Sequence, residues 1–90
     1  MSASAENTAA AADWASDRIV DASGLQCPLP VLRARKALMG LSAGQRLLVI
    51  ATDPMAAIDL PHFCAETGHR LIASGPAGGK HRFLIERRSG

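Results

Sequence analysis

The chain has 90 residues, enough for one small domain, and 48% of them are hydrophobic. Its two cysteines, Cys27 and Cys64, allow at most one disulfide, and no group of Cys and His has zinc-site spacing, so no metal is expected. The longest strongly apolar run, residues 47–51, is far shorter than the roughly 20 residues of a membrane helix. Residues 1–17 lack Lys and Arg, which argues against a targeting peptide. We therefore expect a cytoplasmic protein with reduced thiols and no membrane contact.

The charge of the chain is unevenly distributed. Residues 1–17 are rich in Ala and carry Glu6, Asp13 and Asp17, a net charge of −3. All 10 basic residues lie in the remainder with five of the 8 acidic ones, a net charge of +5. The first segment has too little apolar surface to offset its ordering entropy, so we predict a disordered acidic tail over 1–17 and one folded domain over 18–90. The basic domain favours acidic partners, whether protein or nucleic acid.

From residue 18 onward, short apolar segments alternate with turn residues. Strands are predicted at residues 18–22, 46–52, 70–74 and 80–87. The Leu-Leu-Val-Ile centre of the second strand predicts burial on both of its faces. Residues 75–79, Gly-Pro-Ala-Gly-Gly, predict a hairpin loop between the last two strands.

Two helices are predicted between these strands. The first covers residues 28–39 and ends at Gly40. Pro61 would interrupt a long second helix, so we predict an irregular turn over 54–58 and then a helix capped by Asp59 and ended by Gly68. The order β-α-β-α-β-β indicates an α/β two-layer sandwich, with two helices packed on one face of a mixed four-stranded sheet.

Cys27 stands at the start of the first predicted helix, within the segment Gly-Leu-Gln-Cys-Pro-Leu-Pro of residues 24–30. Pro28 suits the first helical position, and a residue before proline is kept out of the helical region. Cys27 is therefore expected at or near the N-cap, facing the free N–H groups of the helix. The helix dipole and those N–H groups would stabilise a thiolate, so we expect a lowered thiol pKa and a reactive cysteine.

Three basic residues follow Cys27 in the same helix. On a helical wheel Arg33 and Lys36 face away from the apolar side, whereas Arg35 lies within it. Arg35 is therefore the better candidate for a charge that faces the site or a partner, although its stem can also lie along the apolar surface. With Lys36 it is expected to form a basic surface that docks acidic partners.

The two cysteines differ in their surroundings. A thioredoxin-like motif would place a second Cys three residues after the first, where this chain has Pro30. Cys27 thus has no neighbouring thiol to resolve an adduct, which suits holding a sulfur atom and passing it to the thiolate of another protein. Cys64 shares the apolar face of the second predicted helix with Leu60 and Phe63, and we interpret it as core packing.

Several segments together resemble one known family. Residues 21–30, Asp-Ala-Ser-Gly-Leu-Gln-Cys-Pro-Leu-Pro, resemble the signature of the TusA family of sulfur carriers, which includes SirA-like and YedF-like proteins. The similarity continues through Arg35-Lys36, the Asp-Pro of residues 53–54, the Asp-Leu-Pro-His-Phe-Cys of residues 59–64 and the Arg-Phe-Leu-Ile of residues 82–85. It covers about residues 18–88.

The resemblance implies a two-layer α/β sandwich whose motif cysteine, here Cys27, accepts sulfane sulfur as a persulfide, with Gly24, Pro28 and Pro30 supporting the motif. It implies a cysteine desulfurase or a rhodanese-like protein as donor and a DsrE-like or TusD-like protein as acceptor. The sulfur would enter tRNA 2-thiouridine, molybdenum cofactor sulfur or sulfur oxidation. No cofactor is expected beyond the covalent sulfur, and the protein would act in a relay without independent turnover.

Two other functions remain open. The basic domain permits a small RNA-binding module, but in the domain only Phe63 and Phe83 could stack on bases, and both are expected to be buried. We therefore expect no direct contact with nucleic acid. A thiol regulator that switches by oxidation is the second alternative. The three histidines, His62, His69 and His81, are expected to be surface or cap residues rather than catalysts.

Overall fold

The computed structural model describes residues 14–89. Within that range the predicted order of elements is confirmed: β1 Arg18–Ala22, α1 Leu29–Met39, β2 Arg46–Ala51, α2 Ala56–Thr67, β3 Arg70–Ala77 and β4 Lys80–Glu86. β1 pairs with β2 in parallel, while β4 pairs with both β2 and β3 in the antiparallel direction. The sheet is therefore mixed, with strand order β1-β2-β4-β3, and the two helices complete the predicted two-layer sandwich.

One face of the sheet packs against both helices. Alternate side chains of β2, Leu47 and Val49, point to this face and are fully buried. They pack in one core with Phe83 and Ile85 of β4, Ala34 and Leu38 of α1, and Leu60 and Phe63 of α2. Leu48 and Ile50 point the other way and are only half-buried. The predicted burial of β2 on both faces is therefore wrong, because the helices cover one face only.

The N-terminal segment reaches the other face of the sheet. Arg82 stands opposite Ile50 in the β2–β4 pairing, on the face away from the helices, and its guanidinium carbon lies 3.9 Å from the centre of the Trp14 ring. The backbone N–H of Asp17 donates to the carbonyl of Arg46 at 2.9 Å, and the N–H of Arg46 donates to Asp17 Oδ2 at 2.8 Å. Ordered contacts thus begin before residue 18. The predicted disorder of residues 1–13 falls outside the described residues.

The second helix begins earlier than predicted. α2 starts at Ala56 and continues through Pro61. The carboxylate of Asp53 accepts the N–H of Met55 at 3.0 Å, and the carbonyl of Asp53 accepts the N–H of Ala56 at 3.0 Å. These bonds build the first turn ahead of Asp59, so the irregular turn and the cap at Asp59 are both wrong. Pro61 removes one backbone donor but does not end the helix.

The last two strands form a tighter hairpin than predicted. Residues 75–77, which the sequence indicates as loop, pair with β4 and extend β3. The turn is reduced to Gly78 and Gly79, whose φ angles are 57° and 80°. Glycine adopts positive φ without a steric penalty, and two such residues match the twist of the flanking strands. Pro76 is compatible with pairing because β3 lies at an edge of the sheet.

Candidate functional site

Cys27 lies in the loop between β1 and α1 and is half-buried. Gly24 turns the chain after β1 with a φ of 80°, which favours glycine over any residue with a Cβ. The turn is closed by the N–H of Leu25, which donates to the carbonyl of Ala22 at 3.1 Å. Gly24 therefore supports the position of Cys27 through the conformation of the loop.

A second loop, between β2 and α2, holds the cysteine loop in place. The N–H of Gly24 donates to Thr52 Oγ1 at 2.8 Å, and the N–H of Cys27 donates to Asp53 Oδ2 at 2.7 Å. The other oxygen of Asp53 accepts the N–H of Met55. Both backbone bonds lower the pKa of the Asp53 carboxyl below its usual value, since they favour the ionised form. One carboxylate thus ties the cysteine loop to the start of α2.

The start of α1 differs from the prediction. Its first residue is Leu29, Pro28 occupies the N-cap, and the peptide bond between Cys27 and Pro28 is cis. Pro28 and Pro30 carry no N–H, and the N–H of Leu29 is already bonded to the carbonyl of Gln26 at 2.9 Å. The helix therefore presents fewer free donors to the thiol than the sequence argument assumed. Pro28 is exposed, whereas Pro30 is buried and anchors the helix start.

The thiol itself is not activated in this structure, contrary to our prediction. The pKa of Cys27 is raised to about 11, first by burial and then by the neighbouring carboxylates of Asp59 and Asp53. Loss of solvation and nearby negative charge both disfavour a thiolate. The expected lowering of the thiol pKa by the helix start is therefore wrong for the free protein, whose Cys27 pKa is shifted in the opposite direction.

The two candidate docking residues lie on different surfaces. Arg35 lines a groove between the helices together with Pro28, Leu32 and Asp59, next to the cysteine loop. Lys36 lines a separate hollow beside β1, with Arg18 and Arg33 among its other residues. The structure therefore brings Arg35 close to the site, and it places Lys36 on another side of α1.

Exposed apolar side chains accompany the groove and the cysteine loop. Met55 lines a hollow with Cys27, and it is 48% exposed. Leu29 follows the cysteine loop directly, Leu32 lies in the groove, and Ile58 precedes Asp59; they are 44%, 50% and 62% exposed. Large apolar side chains that stay in water around a functional residue are typical of a protein-binding surface.

The other candidate residues lie away from this surface. Cys64 is buried on α2, where burial raises its pKa to about 11, and both cysteines are free thiols. Phe63 and Phe83 are buried, which removes them as stacking surfaces for bases. Within residues 14–89 no group of His, Cys, Asp and Glu could hold a metal ion, and none of the described helices is long and apolar enough to cross a membrane.

Sequence reasoning missed the two carboxylates beside the thiol. Asp59 was interpreted as a helix cap, Asp53 entered only as part of the Asp-Pro of residues 53–54, and neither was assigned to Cys27. A signal was available, because β1 and β2 are consecutive strands separated by one helix, which predicts a parallel pair. The loops that follow two adjacent parallel strands meet at one edge of the sheet. The pairing therefore predicts that Asp53, after β2, lies near Cys27, after β1.

The fold and site together define a small α/β domain with one accessible thiol at a helix start. Residues 18–87 match the family model described as Sulfurtransferase TusA. The chain is 52% identical over 71 residues to the sulfur carrier protein TusA of Allochromatium vinosum, covering 79% of this chain and 93% of that protein. Its fold is similar to the crystal structure of the SirA-like protein from Desulfitobacterium hafniense, with a TM-score of 0.70 and 27% identity over 80% of this chain and 99% of that one. The chain therefore belongs to the TusA family.

Proposed function

We propose that this protein is a sulfur carrier, which takes up sulfane sulfur on Cys27 as a persulfide and passes it to a partner protein. The observation that carries the proposal is the position of Cys27. Its loop is held by bonds to Thr52 and Asp53, and the side chain stays half-exposed. Cys64 is buried in the core, which disfavours its use as a second reactive thiol.

The chemistry of uptake needs only one thiol on this chain. The thiolate of Cys27 attacks the outer sulfur of a persulfide on the donor, and a new S–S bond forms while the donor's S–S bond breaks. The donor cysteine leaves as a thiolate and takes up a proton. In the second half, the thiolate of an acceptor attacks the outer sulfur on Cys27, so that an S–S bond forms on the acceptor while the S–S bond on Cys27 breaks. Cys27 leaves as a thiolate and takes up a proton from water. No net oxidation occurs in either half.

The partners follow from the family and from the surface around the site. We propose a cysteine desulfurase or a rhodanese-like protein as donor and a DsrE-like or TusD-like protein as acceptor. Exposed Leu32, Met55 and Ile58 would be covered in the complex, and Arg35 would meet acidic side chains of the partner. The protein would have no turnover of its own, because each half-reaction needs the reactive cysteine of another protein.

Mass spectrometry of the intact protein tests this proposal. After incubation with a cysteine desulfurase and cysteine, the protein is expected to gain the mass of one sulfur atom, which a thiol reductant removes. Cys64→Ala should load as the parent does, and Cys27→Ser should not load at all. Loading that survives in Cys27→Ser, or loading that is lost in Cys64→Ala while the variant remains folded, would contradict the assignment.

A further inference from the structure

Cys27 lies beside two carboxylates with which no cation among the described residues forms an ion pair. Asp53 Oδ2 lies 2.7 Å from the backbone nitrogen of Cys27, and Asp59, in the first turn of α2, lines the same groove as Pro28, the residue after Cys27. Among residues 14–89 the ion pairs within 4.0 Å are limited to His62–Glu66 and Arg70–Glu86. Neither carboxylate beside the thiol belongs to one of these pairs.

The basic residues that follow Cys27 do not correct this imbalance. Arg35 and His62 line the groove that contains Asp59, but neither forms an ion pair with it. His62 lies 3.2 Å from Glu66 instead. Lys36 lies in the hollow beside β1. The surroundings of the thiol are thus acidic, although the domain from residue 18 onward has a net charge of +5.

Carboxylates beside a thiol oppose the loss of its proton. A thiol is a poor nucleophile, and only its thiolate attacks sulfur. We propose that Asp53 and Asp59 keep Cys27 in the thiol form in the free protein, and that a Lys or Arg side chain of the docked partner, placed beside these carboxylates, releases the thiolate. The raised pKa of Cys27 has the same physical origin. The partner surface that fits is therefore one with a basic residue next to its own reactive cysteine.

The proposal rests on the sulfur-carrier function and adds a control to it. When the partner's cation approaches, Cys27 releases its proton and the thiolate attacks the outer sulfur of the donor's persulfide. The S–S bond of the donor breaks, and the departing donor thiolate takes up a proton, so charge and protons balance. Away from its partners the thiol stays protected from oxidants and other electrophiles, since these also react with the thiolate.

Symmetrical disulfides of different charge test the local potential without any partner protein. In a Cys64→Ala background, Cys27 is the only thiol, and its exchange is measured with cationic cystamine, neutral 2-hydroxyethyl disulfide and anionic 3,3′-dithiodipropionate. We expect cystamine to react about tenfold faster than the anionic disulfide at low ionic strength, and this preference to shrink in salt. The positive net charge of the domain predicts the opposite order. Equal rates for the two charged disulfides, or a faster reaction of the anionic one, would therefore overturn the proposal.

Three charge-neutralising variants assign the effect to particular residues. Asp59→Asn and Asp53→Asn should each remove most of the preference for cystamine, and should raise the rate of alkylation by iodoacetamide at pH 8 several-fold. Glu66→Gln, the same loss of charge in the same groove, should do neither. If Asp53→Asn loosens the cysteine loop, the result for Asp59→Asn alone decides the test. Circular dichroism checks that both variants remain folded. An Asp59→Asn variant that keeps the preference refutes the proposal, whereas sulfur loading by a desulfurase is judged separately and tests the carrier function.

Discussion

The backbone N–H of Gly24 donates a 2.8 Å hydrogen bond to Thr52 Oγ1, so the turn before the cysteine is attached to the loop that follows β2, the strand paired with β1. Twenty-eight positions along the chain separate the two residues. The bond therefore depends on the parallel pairing of β1 with β2, and it makes the position of the cysteine loop depend on that pairing. The effect of the turn on Cys27 can be separated from its effect on overall stability, because Gly44 has a similar φ angle and lies elsewhere in the chain.

Gly24→Ala is expected to reduce sulfur loading more than it reduces stability. Gly24 has a φ of 80° and open space around its α-carbon, so an added Cβ meets no neighbour and the cost comes from the backbone, about 1–2 kcal/mol. Gly44→Ala is the control, since Gly44 has a φ of 86° and open space too but lies before β2. Chemical denaturation should give similar losses for the two variants, while persulfide loading followed by mass spectrometry should fall only in Gly24→Ala. Equal loading in both would mean that the turn does not position Cys27.

Arg35→Gln is expected to slow loading from a protein donor, because Arg35 lines the groove next to the cysteine loop. Removing one charge at the rim of an interface mainly lowers the association rate, so we expect a several-fold decrease that disappears at high salt. Lys36→Gln, the same change on the hollow beside β1, should have the smaller effect. A low-molecular-weight persulfide should load both variants at the parent rate. If Lys36→Gln is the more damaging change, the donor docks on the other side of α1.

Acid is expected to destabilise the protein through His69. The N–H of Arg88 donates to Nδ1 of His69 at 3.1 Å, and burial, followed by the charges of Arg87 and Arg88, lowers the pKa of this imidazole below its usual value. Below the unfolded-state pKa of about 6.5 the unfolded chain binds more protons, so stability is complete above that pH and falls as the pH drops towards the folded-state value. Urea midpoints at pH 5–7 should show this loss. His69→Asn keeps an acceptor without a titrating group, so the urea midpoint should depend less on pH. An unchanged pH dependence would mean that other residues cause the loss of stability in acid.

Trp14→Ala is expected to lower the free energy of unfolding by about 0.5–2 kcal/mol, through loss of the contact between its ring and the Arg82 guanidinium. Trp14→Phe keeps an aromatic face and should cost less, and it also removes a buried indole N–H that has no hydrogen-bond partner. A double-mutant cycle with Arg82→Met isolates the pair, and its coupling energy should be clearly different from zero. Additive losses would show that the two side chains stabilise the protein independently.

Most of the fold could be predicted because glycines and prolines mark the ends of its elements. The hairpin and α2 were exceptions for a shared reason: Pro76 and Pro61 were interpreted as breaks. Pro76 is allowed because β3 turned out to be an edge strand, and Pro61 because Asp53 had already started the helix. Both facts depend on tertiary structure, which local sequence rules do not contain.

The position of Cys27 in the loop before α1 could be predicted, but the direction of its pKa shift could not. The segment around Cys27 indicates a helix start, and the local rules for helix starts predict a thiolate. The carboxylates of Asp53 and Asp59 come from a distant part of the chain and have the opposite effect on the thiol pKa. Arg35 and Lys36 are adjacent in sequence yet face different surfaces, so charge near Cys27 in the sequence is a poor guide to charge near its sulfur.

The central position of β4 has a consequence for synthesis of the chain. Of the four described strands, β4 is the last in chain order, yet it is the one that joins the β1–β2 pair to β3. Until residues 80–86 emerge, β2 and β3 both present open backbone edges, and the core lacks Phe83 and Ile85. A nascent chain halted before β4 therefore exposes strands prone to intermolecular pairing, and the domain acquires its stability in one late step.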